Sequence, residues 1–213
     1  MPNPDAGLSA LRNLKKIAVK HDLFVQTEKK DSEQRRSMAT EKANIVRQRA
    51  EKLAELKQRF FEAMVAGDRQ QTGYELEDIL EALFPLFEIE YRKSYKTPTQ
   101  QIDGHFRFQG FDYLVEAKWR KDQPNEQEIE GFKQKIATKL DATRGVFVSI
   151  SGVRDEVLRQ FQGERSSILF VDGEDITHVL EGRVDLRDML EKKIEKAAQE
   201  EVVFFPARKI ISG

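Results

Sequence analysis

The stretch "QIDGHFRFQGFDYLVEAKW", from Gln101 to Trp119, has the pattern of two β-strands joined by a tight turn. Apolar and polar residues alternate on both sides of a Gln-Gly pair, which is typical of a hairpin with one buried face. Asp103, Glu116 and Lys118 lie inside this pattern. Because charged side chains in a sheet need compensation, these three residues are the first candidates for function.

The turn decides which residues face each other across the hairpin. If Gln109 and Gly110 are the two loop residues, Phe108 faces Phe111, since glycine supplies the positive φ that such a turn needs. One face of the hairpin is then apolar apart from a tyrosine hydroxyl. Its predicted members are Ile102, Gly104, Phe106, Phe108, Phe111, Tyr113, Val115, Ala117 and Trp119. We expect this face to pack against the core.

The opposite face of the hairpin is polar. Arg107 lies opposite Asp112 in this register, a favourable pair that supports it. Asp103 lies opposite Glu116, and like charges at a cross-strand spacing of about 5 Å normally destabilise a sheet. A raised pKa, the neighbouring Lys118 or a divalent cation could each compensate the repulsion. The alternative without function is a surface cluster of ion pairs.

The composition restricts the class of protein. The 213 residues are 39% hydrophobic, enough for a sizeable core, and the absence of cysteine excludes disulfides and cysteine-bound zinc. The net charge of −1 does not by itself indicate a nucleic-acid partner. No apolar run approaches the roughly 20 residues of a membrane span, and the first residues lack the apolar region of a signal peptide. We therefore expect a cytoplasmic protein without membrane contact.

Residues 1–70 differ in composition from residues 71–213 and predict a helical arm, with a coiled-coil or dimerising role as one interpretation, in front of a second domain. Residues 1–66 carry fourteen Lys and Arg against nine Asp and Glu. An apolar stripe at helical spacing predicts a helix from about residue 37 to 66, which Gly67 ends. Its members are Ile45, Leu53, Leu56, Phe60 and Met64. The arm can pack as an amphipathic helix on the second domain or on a partner's arm, and it can also serve dimerisation or phosphate contact.

A second predicted helix follows and carries a further acidic residue. Thr72 and Glu75 fit a capping box at its start, and Pro85 ends it. The apolar stripe of this helix consists of Leu76, Ile79, Leu80 and Leu83. Glu77 lies at the edge of the stripe, because each helical residue turns by about 100°. It can therefore reach a site at the margin of the core.

The rest of the chain alternates strands and helices. The patterns predict strands at 86–94, 144–152 and 166–173, and helices at 125–140, 155–162, 174–182 and 185–201. The helix at 125–140 has a predicted apolar stripe of Ile129, Phe132, Ile136 and Leu140. A helix, three strands and then alternating helices and strands predict an α/β fold with a mixed β-sheet flanked by helices.

Four of these segments resemble the PD-(D/E)xK nuclease superfamily and, within it, the Mrr-like restriction endonucleases. "GYELEDIL" is similar to the family's helix-borne glutamate motif at Glu77, and "QIDG" to its acidic motif at Asp103. "VEAKW" is similar to the E-x-K element and places Glu116 and Lys118 in it, and "RGVFVSISG" is similar to the strand after the central helix. The resemblance covers about residues 72–152 and implies a restriction-endonuclease-like fold.

The chain departs from the pattern at two positions. Ile102 stands where the name of the superfamily expects proline, a position that varies widely. Glu116 stands where many Mrr-like members have glutamine, and this difference favours a conventional metal site.

The resemblance implies a metal-dependent endodeoxyribonuclease that hydrolyses phosphodiester bonds in restriction or phage defence. Asp103, Glu116 and the backbone carbonyl of Ala117 would bind Mg²⁺, which Mn²⁺ can replace, and Glu77 would bind it directly or through water. Lys118 would orient or help deprotonate the attacking water, or stabilise charge. The implied partners are double-stranded DNA and, since two cuts need two sites, a second copy of the chain.

Further polar residues near these motifs are weaker candidates. Gln134 and Lys135, on the helix after the hairpin, and Arg92 and Lys93, before it, are candidates for contact with the substrate phosphate. Solvated surfaces are equally consistent with these four residues. His105 shares the polar face of the hairpin and is interpreted as a neighbour of the site rather than a ligand.

Two other functions stay open at this point. The protein could cleave branched or junction DNA in repair, which a comparison of linear, methylated and junction substrates would reveal. It could instead be a non-catalytic nuclease-fold module for DNA binding or assembly. The intact set of Asp103, Glu116 and Lys118 argues against the non-catalytic alternative, whereas a lack of metal binding that depends on the two carboxylates would favour it.

Overall fold

A computed structural model describes residues 4–66, 69–96, 100–163 and 167–212, and the chain forms two compact units, Met1–Arg49 and Ala50–Gly213. In chain order the described elements are α1 (Pro4–Ala66), α2 (Arg69–Leu83), a 3₁₀ turn (Phe84–Phe87), β1 (Tyr91–Lys96), β2 (Gln101–Phe108), β3 (Phe111–Lys118), α3 (Glu126–Ala137), β4 (Arg144–Ser149), α4 (Asp155–Phe161), β5 (Ile168–Asp172), α5 (Gly173–Leu180), α6 (Leu186–Glu200) and α7 (Ala207–Ile211). No helix among these residues combines the length and the apolar character that crossing a membrane requires.

The five strands form one mixed sheet in the order β1-β2-β3-β4-β5. Neighbours among the first three strands are antiparallel, whereas β3, β4 and β5 run parallel. The parallel strands are connected through α3 and α4, as parallel pairs require a crossover. This arrangement confirms the predicted α/β fold with a mixed sheet between helices.

The sheet buries apolar side chains on both faces. On one face the end of α1 packs with α2, α5 and α6, and we call this cluster the first core. On the other face α3 and α4 form the second core. The predicted stripe of α2 lies in the first core, and its four members, Leu76, Ile79, Leu80 and Leu83, are fully buried. Strand β4 is buried on both faces, as its continuous apolar run predicts.

The hairpin turn between β2 and β3 is the predicted one. Gln109 and Gly110 both have positive φ, 49° and 84°, as in the two-residue turn whose twist matches that of the flanking strands. Phe108 pairs with Phe111, and the predicted register continues as far as Gly104 and Val115.

The predicted capping box at Thr72 and Glu75 is wrong. Helix α2 begins at Arg69, so Thr72 lies inside the helix, where its side chain is buried. Glu75 instead accepts a hydrogen bond from Nε of Arg59 at 2.7 Å. A capping box needs the first residue of the motif to precede the helix, and here three helical residues precede it. Gly67, predicted to end the first helix, lies outside the described residues.

The first helix is longer than predicted, because it begins at Pro4 rather than near residue 37. Its predicted apolar stripe is buried only in part: Leu56 and Phe60 lie in the first core, whereas Ile45 and Met64 are exposed. These contacts show that the last turns of the first helix pack with the sheet. Whether residues 71–213 fold without them is a separate question. The domain boundary near residue 70 therefore stays a prediction.

Two other predicted elements end or begin elsewhere. Helix α3 ends at Ala137, which leaves Leu140 beyond the helix and exposed rather than on the predicted apolar stripe. The strand predicted at 86–94 begins only at Tyr91, because Phe84–Phe87 continue as a 3₁₀ turn after the predicted stop at Pro85.

Candidate active site

The site lies where β2 and β3 stop pairing. The rungs between these strands end at Gly104 and Val115, one residue short of Asp103 and Glu116. The pairing of β1 with β2 also omits Asp103, since Lys93 pairs with Gly104 and Tyr95 with Ile102. Asp103 therefore sits at a local irregularity, where the pairing with β3 ends and the pairing with β1 is interrupted before it resumes at Ile102.

At this irregularity the Asp103 carboxylate, rather than a backbone carbonyl, accepts the hydrogen bond from a backbone amide of β3. The amide of Ala117 donates to Oδ2 of Asp103 at 3.1 Å. In the predicted register Ala117 would instead face Ile102 across the strands. The contact holds the Asp103 side chain in the gap between the two strands, beside the residue that precedes Lys118.

The irregularity overturns one prediction about the faces of the hairpin. The register predicts Ile102 on the apolar face with Phe106, but it packs in the second core with Leu114 and Phe147. Residues two apart in a regular strand share a face, so the strand must rotate locally around Asp103. The apolar side chains of the predicted face between Phe106 and Trp119 lie in or against the first core, as predicted.

Glu116 is held by two lysines. Nζ of Lys118 lies 2.6 Å from Oε1 of Glu116, and Nζ of Lys135 lies 2.7 Å from Oε2. Nζ of Lys118 is also 3.8 Å from Oδ2 of Asp103. Lys118 thus contacts both carboxylates. Lys135, a predicted contact of the substrate phosphate, reaches the same site from α3.

Burial and charge set the protonation of these groups. Burial raises the pKa of Asp103, and the negative charge of Glu116 raises it further, against the opposing effect of Lys118. Burial lowers the pKa of Lys118, but its ion pairs with Glu116 and Asp103 outweigh burial, so the net pKa lies above its ordinary value. Lys118 is therefore a stable cation in this site and a poor proton acceptor.

Glu77 borders the site from α2. Its side chain is half-buried, and burial raises its pKa, with the charge of Asp103 as the next cause. Lys93 opposes this shift from β1. The structure thus brings Glu77 into the electrostatic neighbourhood of Asp103, at the margin of the first core, as its helical position predicts.

The remaining candidates make other contacts. The guanidinium of Arg92 lies over the ring of Tyr95 at 4.2 Å, and Lys93 forms ion pairs with Asp78 and Glu81 of α2. The side chain of Gln134 is exposed on α3. Nε2 of His105 lies 2.9 Å from Oδ1 of Asp112, which agrees with its interpretation as a polar neighbour.

Tyr91 is the residue near the site that the sequence did not reveal. Its hydroxyl oxygen is buried without a hydrogen-bond partner in the described part of the chain, and its pKa is raised by burial, then by the charges of Asp103 and Glu77. Gly104 carried the signal, because glycine inside a strand often marks a close approach by another group.

The donor set suits a hard divalent cation. Asp103 and Glu116 offer carboxylate oxygens on neighbouring strands, and Mg²⁺ prefers such ligands. Two ammonium groups, those of Lys118 and Lys135, balance these carboxylates. No group of three histidine or acidic side chains within the described residues is already arranged to hold a metal ion. A cation bound by Asp103 and Glu116 would take the place of a lysine ammonium group at one or both oxygens of Glu116.

The comparison with known proteins agrees with this geometry. A family model named Mrr_cat and described as restriction endonuclease matches residues 53–180. This segment runs from the last turns of α1 to the end of α5 and includes every candidate residue of the site. No curated protein matches the chain. Because the matched segment covers more than half of the 213 residues, the chain belongs to the Mrr-type restriction endonuclease family.

Proposed function

We propose that the protein is a Mg²⁺-dependent endonuclease that hydrolyses phosphodiester bonds of double-stranded DNA in restriction or phage defence. One observation carries the proposal: Asp103 and Glu116 converge with Lys118 where two paired strands separate, inside the segment that matches the nuclease family. A purely structural ion-pair cluster would not need a break in the strand pairing.

Asp103 and Glu116 would hold the cation, together with the backbone carbonyl of Ala117, and Glu77 would complete the set from α2. A bound divalent cation supplies positive charge to the phosphate and lowers the pKa of the attacking water. The hydrogen bond from the Ala117 amide keeps the Asp103 carboxylate in the gap between the strands. Mn²⁺ should replace Mg²⁺, since the same oxygen ligands suit both ions.

Lys118 and Lys135 would serve the phosphate. The raised pKa of Lys118 favours electrostatic stabilisation and orientation of the water over proton abstraction. Cation binding at Glu116 would compete with both lysines, since each occupies one oxygen of that carboxylate. Once displaced, Lys135 would be free to contact the substrate phosphate. Gln134, Arg92 and Lys93 remain candidates for contact with the DNA backbone.

We also propose a homodimer, because cutting both strands needs two sites. Large apolar side chains on the first unit are exposed: Leu8, Leu11, Leu14 and Ile17. Helices in proteins gain most of their stability from packing an apolar face, and these exposed side chains offer such a face to a second copy of the chain. Light scattering coupled to size exclusion should give twice the monomer mass, and a Leu11→Glu, Leu14→Glu variant should give the monomer mass.

The activity is tested on supercoiled plasmid with and without Mg²⁺. We expect nicking or linearisation that requires the metal, and a loss of about 100-fold or more in Asp103→Asn and in Lys118→Ala, because each removes a group that stabilises charge at the phosphate. Asp141→Asn and Lys192→Ala are matched controls, since both residues lie outside the site and should leave cleavage unchanged. Full activity of both site variants would refute the proposal.

The choice of substrate separates this function from its alternatives. Preference for methylated or unmethylated linear DNA supports restriction, whereas preference for a four-way junction supports repair. Calorimetry with Mn²⁺ supplies a readout besides cleavage. If wild-type protein binds no metal and cuts no DNA, a non-catalytic module is the correct description.

A further inference from the structure

Tyr91 places a buried hydroxyl beside the candidate site. The oxygen is shielded from solvent and has no hydrogen-bond partner within the described residues. A buried polar group without a partner costs free energy, and such groups in native proteins usually have a bound water, a ligand or a function. The ring itself packs against the first core, with its centroid 4.7 Å from that of Phe84. The hydroxyl is therefore held in one place.

The backbone of β2 is shaped around this hydroxyl. A Cβ atom at Gly104 would lie 1.9 Å from Oη of Tyr91 and 2.5 Å from Cζ. Any other residue at position 104 would thus push the ring away, so the glycine next to Asp103 allows the hydroxyl to reach this position.

Two acidic residues lie on elements that meet near this hydroxyl. Gly104, against which the hydroxyl packs, adjoins Asp103 in β2, and α2, which carries Glu77, contacts β1 through the ion pair of Asp78 with Lys93. Asp103 and Glu77 both contribute to the raised pKa of Tyr91, and burial raises the pKa of each of these carboxyl groups. Tyr91 therefore keeps its proton and can donate a hydrogen bond. No direct hydrogen bond joins Tyr91 to either carboxylate in the described structure. A water molecule between them would have three polar partners, within the two to four that buried waters typically use.

We propose that Tyr91 is a positioning residue, whose hydroxyl holds a water molecule between Glu77 and Asp103 and thereby fixes the Glu77 carboxylate for the cation. The inference rests on the proposed function of the same site. It assigns Gly104 a role as well, since the glycine provides the space that the phenol needs. If the ring only filled the core, phenylalanine would serve as well, without a buried hydroxyl that lacks a partner among the described residues.

The Tyr91→Phe variant separates the two roles, because it keeps the ring and its packing and removes the oxygen. We expect Mn²⁺ affinity, measured by calorimetry, to fall roughly 10- to 100-fold, as is usual when a group that orients a ligand is removed. The melting temperature should stay close to that of wild type, since the ring and its packing against Phe84 are kept. A residue that only supports the fold would show the opposite pattern, with affinity unchanged.

Tyr113→Phe is the matched control. Tyr113 also has a buried hydroxyl, but it lies beside Arg144 at the end of β3 that is away from Lys118. Its removal should leave Mn²⁺ affinity and cleavage unchanged. Equal Mn²⁺ affinity in Tyr91→Phe and wild type would overturn the inference while leaving the proposed nuclease intact.

A second measurement is independent of the metal. A high-resolution crystal structure of the metal-free protein should show a water molecule within hydrogen-bond distance of Oη of Tyr91 and of both carboxylates. If wild type binds no Mn²⁺ the proposed function fails, and this water still decides the role of Tyr91. A hydroxyl without that water in the crystal would overturn the inference.

Discussion

Burial makes a negative charge on Asp103 unfavourable to the fold, whereas a bound cation would need that charge. The Asp103 carboxylate is buried beside Glu116, which raises its pKa, while Lys118 and the Ala117 amide only partly offset that effect. A charge at this position is useful to a cation and unfavourable to the fold without one. Active-site residues often carry such a conflict, because the arrangement that binds the ligand is not the most stable one.

The conflict predicts that Asp103→Asn stabilises the metal-free protein. An acid with a raised pKa binds more protons in the folded state than in the unfolded state, so its contribution to stability falls as the pH rises above its ordinary pKa of about 3.9. Asparagine keeps an oxygen that accepts the Ala117 amide and carries no charge. In EDTA at pH 7 the variant should therefore melt above wild type.

Thermal melts at several pH values test this sign. The advantage of Asp103→Asn should shrink toward pH 3, where the carboxyl group is protonated in both states. Asp141→Asn, at an exposed position, serves as the control and should melt like wild type throughout. A lower melting temperature for Asp103→Asn at pH 7 would mean that its ion pair with Lys118 outweighs burial.

At the scale of elements, a buried ion pair ties the C-terminal part of the chain to the sheet. Lys193 of α6 is fully buried and donates to Oδ2 of Asp175 at 2.6 Å, to the carbonyl of Phe205 at 2.8 Å and to that of Phe170 at 3.1 Å. Asp175 also accepts from the amide of Ala207 at 2.6 Å. One lysine thus connects α5, α6, β5 and the segment that precedes α7.

Removing this lysine should be costly. Lys193→Met leaves Asp175 as a buried carboxylate without its cation, which typically costs about 3–5 kcal/mol of unfolding free energy. Lys192→Met is the control, because the exposed pair of Lys192 with Glu195 contributes little to stability. Urea denaturation at pH 7 measures both. Adding Asp175→Asn to Lys193→Met should recover part of the loss, and no recovery would show that the lost hydrogen bonds dominate.

At the scale of the whole molecule, the last turns of α1 belong to the core of the second unit. Leu56 and Phe60 are both 0% exposed, and the ring centroids of Phe60 and Trp119 are 4.9 Å apart. Trp119 directly follows Lys118, so this packing supports the end of β3 that carries the site. The composition changes near residue 70, whereas the packing places the boundary between the two units at residues 49 and 50.

Two truncations test which division governs folding. A protein of residues 50–213 keeps Leu56 and Phe60 and should melt cooperatively near the full-length temperature. A protein of residues 71–213 loses both side chains, each worth about 2–5 kcal/mol, and should melt about 10 °C or more lower or lack a cooperative transition. Differential scanning calorimetry makes the comparison. Equal melting of the two truncated proteins would support an independent domain that starts near residue 71.

Short-range patterns determined much of this protein. The Gln109-Gly110 turn, the hairpin register from Phe108 back to Gly104 and the stripe of α2 follow from rules that connect residues a few positions apart, and the structure confirms them. The register alone predicts that Asp103, Glu116 and Lys118 lie close together, because it places all three at one end of the polar face. The family could be recognised for a similar reason, since its motifs are short and lie in order along the chain.

Only the tertiary structure decided the contacts between residues distant in sequence. Lys135 reaches Glu116 from another element, and the Tyr91 hydroxyl occupies the space that Gly104 leaves next to Asp103. Ile102 changes face because the strand loses its regular pairing at Asp103, which no alternation of residue types reveals. Sequence periodicity records which side of an element is apolar, but the partner on that side and the local departures from regular geometry depend on how all the elements pack together.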